Sequence, residues 1–451
     1  MEGAYFSHPE AQSVFPTPLQ KPDLLIASST HIKIIRTFSK LKKMAVSATN
    51  IADLLRQANA QDFDGDESTR LATIREAQRL VNRLQHPTER SWEIAFENWA
   101  ILGTLQTFVD LGVFERWRDA GGGPVSLEAL CELAKANVDP KLLVRLCRLL
   151  AANDFIEEVA EEQYKPTAFS LALGDKDSLQ AAWIQCGHDH FKYGGLDHLS
   201  RFLKETSYLN PADVENTAYR LGCPENVGFW DRCSLTPELQ ASFSELMESW
   251  TRRKTHWTEY FDTNVLLSCE IDHSAPILVD VGGNRGHDIS LFRARHHAAI
   301  PSGSLVLQDR PEALALAEVD QDKVLIMPHD FLTPQPVCNA RAYMFHAVFH
   351  DWSDEKSLVI LKHTAAAMKP GYSRLLIVDV VLPPTGASAF QAAMDVSMMG
   401  LLSAKERTQG MWEELLSGAG FKILKIWKDP KRYESVIEAE LGAPEEGARD
   451  L

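Results

Sequence analysis

The chain has 451 residues, 45% hydrophobic and 24% charged, which is enough for two or three ordinary globular domains. Its formal net charge of -16 argues against a nucleic-acid partner, whose phosphates it would repel. No stretch reaches the roughly 18 consecutive apolar residues of a membrane helix, and seven scattered cysteines without a CxxC pair read as reduced thiols of a cytoplasmic protein, not as disulfides or a zinc site.

Residues 1–74 show little sustained periodicity apart from "NIADLLRQANA" and end in the acidic "DFDGDES". The basic run "THIKIIRTFSKLKK" precedes an internal Met44, and three readings stay open: a targeting segment, a flexible extension, or a translation start at Met44. From about residue 70 the pattern turns helical. After the His86-Pro87 break, "SWEIAFENWAILGTLQTFVDLGVFERW" is apolar all round and is expected to be one long helix buried on more than one side.

Beyond Gly121-Gly122-Gly123, Ser126 and Asp139 read as helix N-caps, with Pro140 at a first helical position. Two short helices and the hairpin "FIEEVAEEQYKPT" suggest a winged helix-turn-helix. Its second helix carries Lys141, Arg145 and Arg148, but the wing carries Asp154, Glu157, Glu158, Glu161 and Glu162, the wrong sign for a phosphate backbone. Residues 180–262 read as helical with aromatic and histidine punctuation. Their "GHDHF" offers either a second acid/base histidine (His188 or His190) or a hydrogen-bonded turn. The two histidines lie two apart, which on a helix points them to different sides and disfavours a metal site.

Near-continuous apolar runs follow at 276–283, 304–309, 323–330, 342–350 and 374–383, separated by helical segments at 286–297, 311–318 and 354–369. Strands buried on both faces and alternating with helices predict an α/β fold with a doubly wound, mostly parallel sheet. A helix at 406–418 then precedes "FKILKIW" and "YESVIEAEL", expected to pair as an antiparallel hairpin before an acidic tail.

The first of these strands ends in "VDVGGNRGHD". Its spacing fails the dinucleotide pattern G-x-G-x-x-G, but Gly282, Asn284 and Gly286, preceded by Asp280, have the spacing of an S-adenosylmethionine (SAM) loop. Asparagine tolerates the left-handed backbone such a loop demands. The loop alone also fits a packing turn; the later strands weigh against that. The second ends in Asp309, placed to accept from both ribose hydroxyls, and the third in "HDF", where Asp330 would take the adenine amino group and Phe331 lie against its ring. The fourth run ends in "FHDW", presenting His350 and Asp351 where open α/β sheets hold their chemistry.

Taken with "LQDRP", "FHAVFHDWSDEKS", "LLIVDVVLP" and "DVSMMGLLSAKERTQGMWEELLSGAGF", the chain resembles the class I SAM-dependent O-methyltransferases of the caffeate/plant-phenol type, in their fungal secondary-metabolite branch. The resemblance implies a seven-stranded Rossmann-like sheet and an all-helical, winged-helix dimerisation domain. It implies an extension at 1–74, the dimerisation domain at 75–178, a helical connector and substrate segment at 179–264, the SAM-binding domain at 265–441 and a tail at 442–451. SAM is the implied cofactor, bound by Asp280, Gly282, Gly283, Gly286, Asp309, Asp330 and Phe331, with no metal. His350 is the implied general base for an aromatic or polyketide hydroxyl, flanked by Glu406 and by Asp379, which is one methylene shorter than the family's usual glutamate. Met398 either packs on the acceptor ring, as the resemblance implies, or is plain core. His346 stands where relatives often carry a basic residue, and no role is assigned to it. Some fungal relatives of this fold act as pericyclases; Asn284, His346 and Asp379 depart from the family pattern in that direction, whereas His350 and Glu406 keep methyl transfer in front.

Overall fold

In a computed structural model, residues 48–442 are described, apart from 59, 268–270 and 432. The readings made for residues 1–43 and for the tail beyond 442 lie outside that range. The chain divides into two units, 1–73 and 74–451. In the first, Ala48–Gln57 is a helix and Ala60–Phe63 a 3-10 turn.

In the second unit the long helix expected after Pro87 is interrupted. Pro87–Trp92 is helical, Glu93–Glu97 forms a π-turn, Asn98–Asp110 resumes the helix, and Gly112 at φ 63° turns the chain into Val113–Asp119. Its later half is buried: Leu105, Phe108, Phe114 and Trp117 pack with Leu130, Leu143 and Tyr164. Its earlier half is not, and Trp92 and Phe96 stand 58% and 72% exposed. The caps form as expected, Ser126 accepting from the Ala129 N–H and Asp139 from the Lys141 N–H. The strands β1 (Val125–Ser126), β2 (Ile156–Ala160) and β3 (Gln163–Pro166) form a small antiparallel sheet in the order β1-β3-β2. Residues 181–253 are largely helical, ending in the long helix Pro237–Arg253.

The main sheet contains β4 (Leu278–Val281), β5 (Leu305–Asp309), β6 (Val324–Pro328), β7 (Ala342–His346) and β8 (Arg374–Asp379). A short parallel pair, β9 (Val381–Leu382) with β10 (Arg407–Thr408), stands apart, and β11 (Phe421–Lys428) and β12 (Ser435–Leu441) complete the main sheet. Its order is β11-β12-β8-β7-β4-β5-β6; neighbours are parallel except where β12 meets β8 and β11. Apolar clusters cover both faces, which explains the near-continuous apolar runs. Strand order reverses between β4 and β7, and a crevice opens there at the carboxyl ends.

Among the boundaries that differ from the sequence reading, two bear on the site. The fourth run does not continue to His350: β7 stops at His346, Ala347 adopts φ 51°, and Phe349–Asp351 is a 3-10 turn. Nor does the helix begin at residue 406. Arg407 and Thr408 pair with Val381 and Leu382, and Thr408 then caps the helix Gln409–Gly418. Both departures move catalytic candidates off regular elements.

Gly400, in the helix Ala389–Leu402, presses on the backbone of Gly194; a Cβ there would fall on the Gly194 carbonyl. Gly400→Ala is therefore expected to destabilise the fold by about 2 kcal/mol or more, read as a lower urea midpoint. An unchanged midpoint would show that the two segments do not cross so closely.

Candidate active site

The loop after β4 needs left-handed backbone at three positions: Gly282 (φ 76°), Asn284 (φ 50°) and Gly286 (φ 82°). The glycines serve different ends. A Cβ on Gly283 would meet Leu307 at 2.5 Å and Asp280 at 2.6 Å, and one on Gly286 would strike Val319, so these two are required by packing. A Cβ on Gly282 would instead lie 2.9 Å from Val348 and 3.7 Å from Phe331, at the wall of a cavity of about 490 Å³. Gly282, Gly283, Asp309, Asp330, Phe331, His350 and Met398 all line this cavity; Asp280, Gly286, Asp379 and Glu406 stand behind its wall.

Asp309 is held at the end of β5 by the backbone N–H groups of Asn284 (2.8 Å) and Arg310 (2.7 Å). Burial pushes its carboxyl above the ordinary carboxylate range, against the pull of those donors. Asp330 is exposed and accepts from the Leu332 N–H, while Phe331 meets Trp352 edge-on at 5.7 Å. Asp280 is fully buried with both carboxylate oxygens unpaired, and burial, reinforced by Asp288, raises its carboxyl well above the ordinary range.

His350 sits among three carboxylates. Its Nδ1 lies 2.8 Å from Glu406 Oε1 and 3.6 Å from Asp379 Oδ1, while Nε2 lies 3.5 Å from Asp351 Oδ1. The shorter Asp379 side chain thus reaches ion-pair range but not a hydrogen bond. Burial disfavours the imidazolium, yet Asp379, Glu406 and Asp351 outweigh burial and hold the histidine well above its usual pKa. Burial in turn lifts Asp351 and Glu406 to about 7 against the pull of His350. Ligand atoms of His350, Asp379 and Glu406 lie within 4.8 Å of one another, and the contact between Nδ1 and Glu406 is a hydrogen bond.

The sequence reading missed the residue that braces this turn. Arg407 is fully buried and donates to the carbonyls of Phe349 (2.7 Å) and Trp352 (2.8 Å), on either side of His350 and Asp351, and to Asp354. Its position beside Glu406 was visible; its contact with a turn fifty-odd residues earlier was not.

A second buried network was also missed. His346 Nδ1 donates to Asp288 (2.8 Å), His256 bonds the other Asp288 oxygen (3.0 Å), and Lys254 lies 2.7 Å from Glu434 and 2.5 Å from His346 Nε2. Burial and Lys254 disfavour a charged His346, but Asp288 and Glu434 prevail and raise it to about 9. The network ties the end of the helix Pro237–Arg253 to β7, β12 and the first turn of the helix His287–Arg295. That same long helix reaches the glycine loop through Ser244 to Asn284 (3.4 Å) and Glu248 to Arg285 (2.9 Å). Neither histidine of "GHDHF" lines the cavity. His188 is exposed beside Asp189; His190 is buried against Tyr219 OH (2.8 Å), and burial lowers it to about 4.

Residues 226–422 match the O-methyltransferase domain family. The O-methyltransferase ATR12 of Stachybotrys chlorohalonatus is 46% identical over 88% of the chain and 100% of its own length, and the O-methyltransferase mfmE of Annulohypoxylon moriforme 34% identical over 87% and 95%. The chain belongs to the O-methyltransferase family. Among solved structures, LepI in complex with SAM superposes with a TM-score of 0.75 at 23% identity, over 91% of this chain and 100% of LepI, and a pericyclic reaction enzyme gives the same figures. OxaC in complex with sinefungin and meleagrin gives 0.72 at 23% identity, over 92% and 100%. At such identities the structural likeness shows the fold, that of a class I SAM methyltransferase.

Arg407→Met would remove the guanidinium donors from the carbonyls of Phe349 and Trp352, leaving them only the longer contacts from the Trp352 N–H (3.3 Å) and Ser357 Oγ (3.5 Å), at a cost of about 1–3 kcal/mol. Urea unfolding measures it, and a midpoint equal to that of the parent chain would contradict the bracing role.

Proposed function

We propose that the chain is a SAM-dependent O-methyltransferase of the caffeate/plant-phenol type that methylates a hydroxyl, phenolic in character, of a small aromatic or polyketide metabolite, without a metal. The observation that supports this most is His350: it borders the cavity while Glu406 hydrogen-bonds its Nδ1 from behind the wall. Nε2 is then the nitrogen left to face an acceptor.

The residues present fit SAM. The cavity falls within the roughly 300–1,000 Å³ of small-molecule sites, Gly282 lets backbone approach a ligand, and Asp309 keeps lone pairs for ribose hydroxyls. Asp330 and Phe331 would hold the adenine. Bound there, SAM supplies an electrophilic methyl group and a positive charge. His350 takes the acceptor proton as its oxygen attacks, Glu406 fixes the ring's orientation, and Met398 packs near the acceptor. Holding the reactants in line supplies much of the acceleration. His350 must be neutral to act, and the surrounding carboxylates raise its pKa above the ordinary histidine range, so kcat/KM should climb with pH along a limb displaced to higher pH than that of a free imidazole.

A second reading is favoured by the three carboxylates around His350: they stabilise its imidazolium form, which suits a SAM-binding isomerase or pericyclase that transfers no methyl group. Mass spectrometry separates the two. With SAM and extract of the source organism, methyl transfer predicts a product heavier by one CH2 and equimolar S-adenosylhomocysteine; a product of unchanged mass with SAM intact favours isomerisation. His350→Ala is expected to remove turnover yet keep SAM affinity, and Asp309→Ala to weaken SAM binding at least tenfold by calorimetry.

The helical segment carrying Trp92, Ile94 and Phe96 is exposed, and exposed apolar patches mark protein interfaces. A second copy covering it would make a homodimer. Light scattering should then give twice the chain mass; a monomer at micromolar concentration would reject the assignment.

A further inference from the structure

We propose that Asp351 is a catalytic residue which takes the acceptor's proton from His350 Nε2 and releases it toward the solvent side of the cavity. This rests on the methyl-transfer reading. The overall change is acceptor–OH plus the sulfonium giving acceptor–OCH3, a neutral thioether and one proton. The O–CH3 bond forms as the S–CH3 bond breaks, with that electron pair passing to sulfur. The hydroxyl proton moves to His350 Nε2, then through one intervening water to an Asp351 carboxylate oxygen, then to bulk water. Without the later transfers His350 would meet the next acceptor as an imidazolium, unable to act as base.

The three carboxylates around the imidazole are not equivalent. Glu406 and Asp379 face Nδ1, their side chains are 0% and 1% exposed, and neither lines the cavity. Asp351 faces Nε2 at 3.5 Å, within ion-pair range though not a hydrogen bond; its side chain is 13% exposed, as is that of His350, and both line the cavity. Of these carboxylates it is thus the one in contact with both the working nitrogen and the open side. The Phe349–Asp351 turn, braced by Arg407 on both sides, holds Asp351 and His350 in one rigid unit. Burial raises Asp351, His350 opposes that, and Asp379 and Glu406 add to it, leaving a carboxyl near 7 that gains and loses a proton at working pH.

Asp351→Asn keeps the side chain's shape and removes its basicity. With SAM and the acceptor isolated from the extract assay, at a pH above the acidic limb where His350 is neutral in both chains, it should leave the first turnover within about twofold of the parent chain and lower the steady-state rate at least tenfold; Asp351→Glu should restore most of the loss. With one carboxylate fewer to hold the imidazolium, the NMR-titrated pKa of His350 in the Asn variant should fall by roughly one unit, moving the acidic limb of kcat/KM to lower pH. A merely structural role would slow both phases alike and leave the limb in place. Equal steady-state rates and an unmoved limb would overturn the proposal. If the parent chain forms no methylated product, the methyl-transfer reading fails, and the proton-release role fails with it. The His350 titration then still reports whether Asp351 acts on Nε2.

Discussion

The 2.8 Å hydrogen bond from His350 to Glu406 joins residues 56 positions apart, and neither sits in a helix or strand of the main sheet. A 3-10 turn holds one end and the residue before a two-residue strand holds the other. Such segments do not keep a geometry by themselves. The bond exists because β9 and β10 pair just past Asp379, setting Glu406 beside the end of β8, and because Arg407 grips the carbonyls around the turn. One dipeptide, Glu406-Arg407, therefore both orients the imidazole and fixes the backbone that carries it.

The sheet was legible because parallel strands covered on both faces leave unbroken apolar runs, and the strand-end acids because such folds collect ligands there. Legibility failed where the backbone departs from what side chains advertise. Nothing in alanine signals the left-handed conformation of Ala347 that ends β7 four residues before His350. The helical period of 91–117 runs straight through a π-turn because a single wider turn barely disturbs it. Arg407 and the Lys254–Glu434–His346 network depend on contacts between distant segments, which local patterning does not encode. The reach of Asp379 was a question of one methylene, and 3.6 Å is the answer.

Asp280, Asp288, Asp309, Asp351, Asp379, Glu406 and Glu434 gather at one end of the sheet, most of them buried. A chain selected for stability alone would place apolar residues there. Two responses to that cost are visible: Asp288 and Glu434 are paired with His346, His256 and Lys254, whereas burial shifts the Asp280 carboxyl toward its neutral form. The acids nearest His350 are neither fully paired nor inert, and a site that binds a cation and then sheds a proton has use for that. Stability is given up where function gains by it.

The most direct measurement is a crystal structure of the chain with S-adenosylhomocysteine. The account predicts ribose hydroxyls on Asp309, adenine beside Asp330 and Phe331, and the sulfur turned toward the face of the cavity that His350 Nε2 borders. A thioether directed away from His350, or a ligand bound outside this cavity, would contradict it.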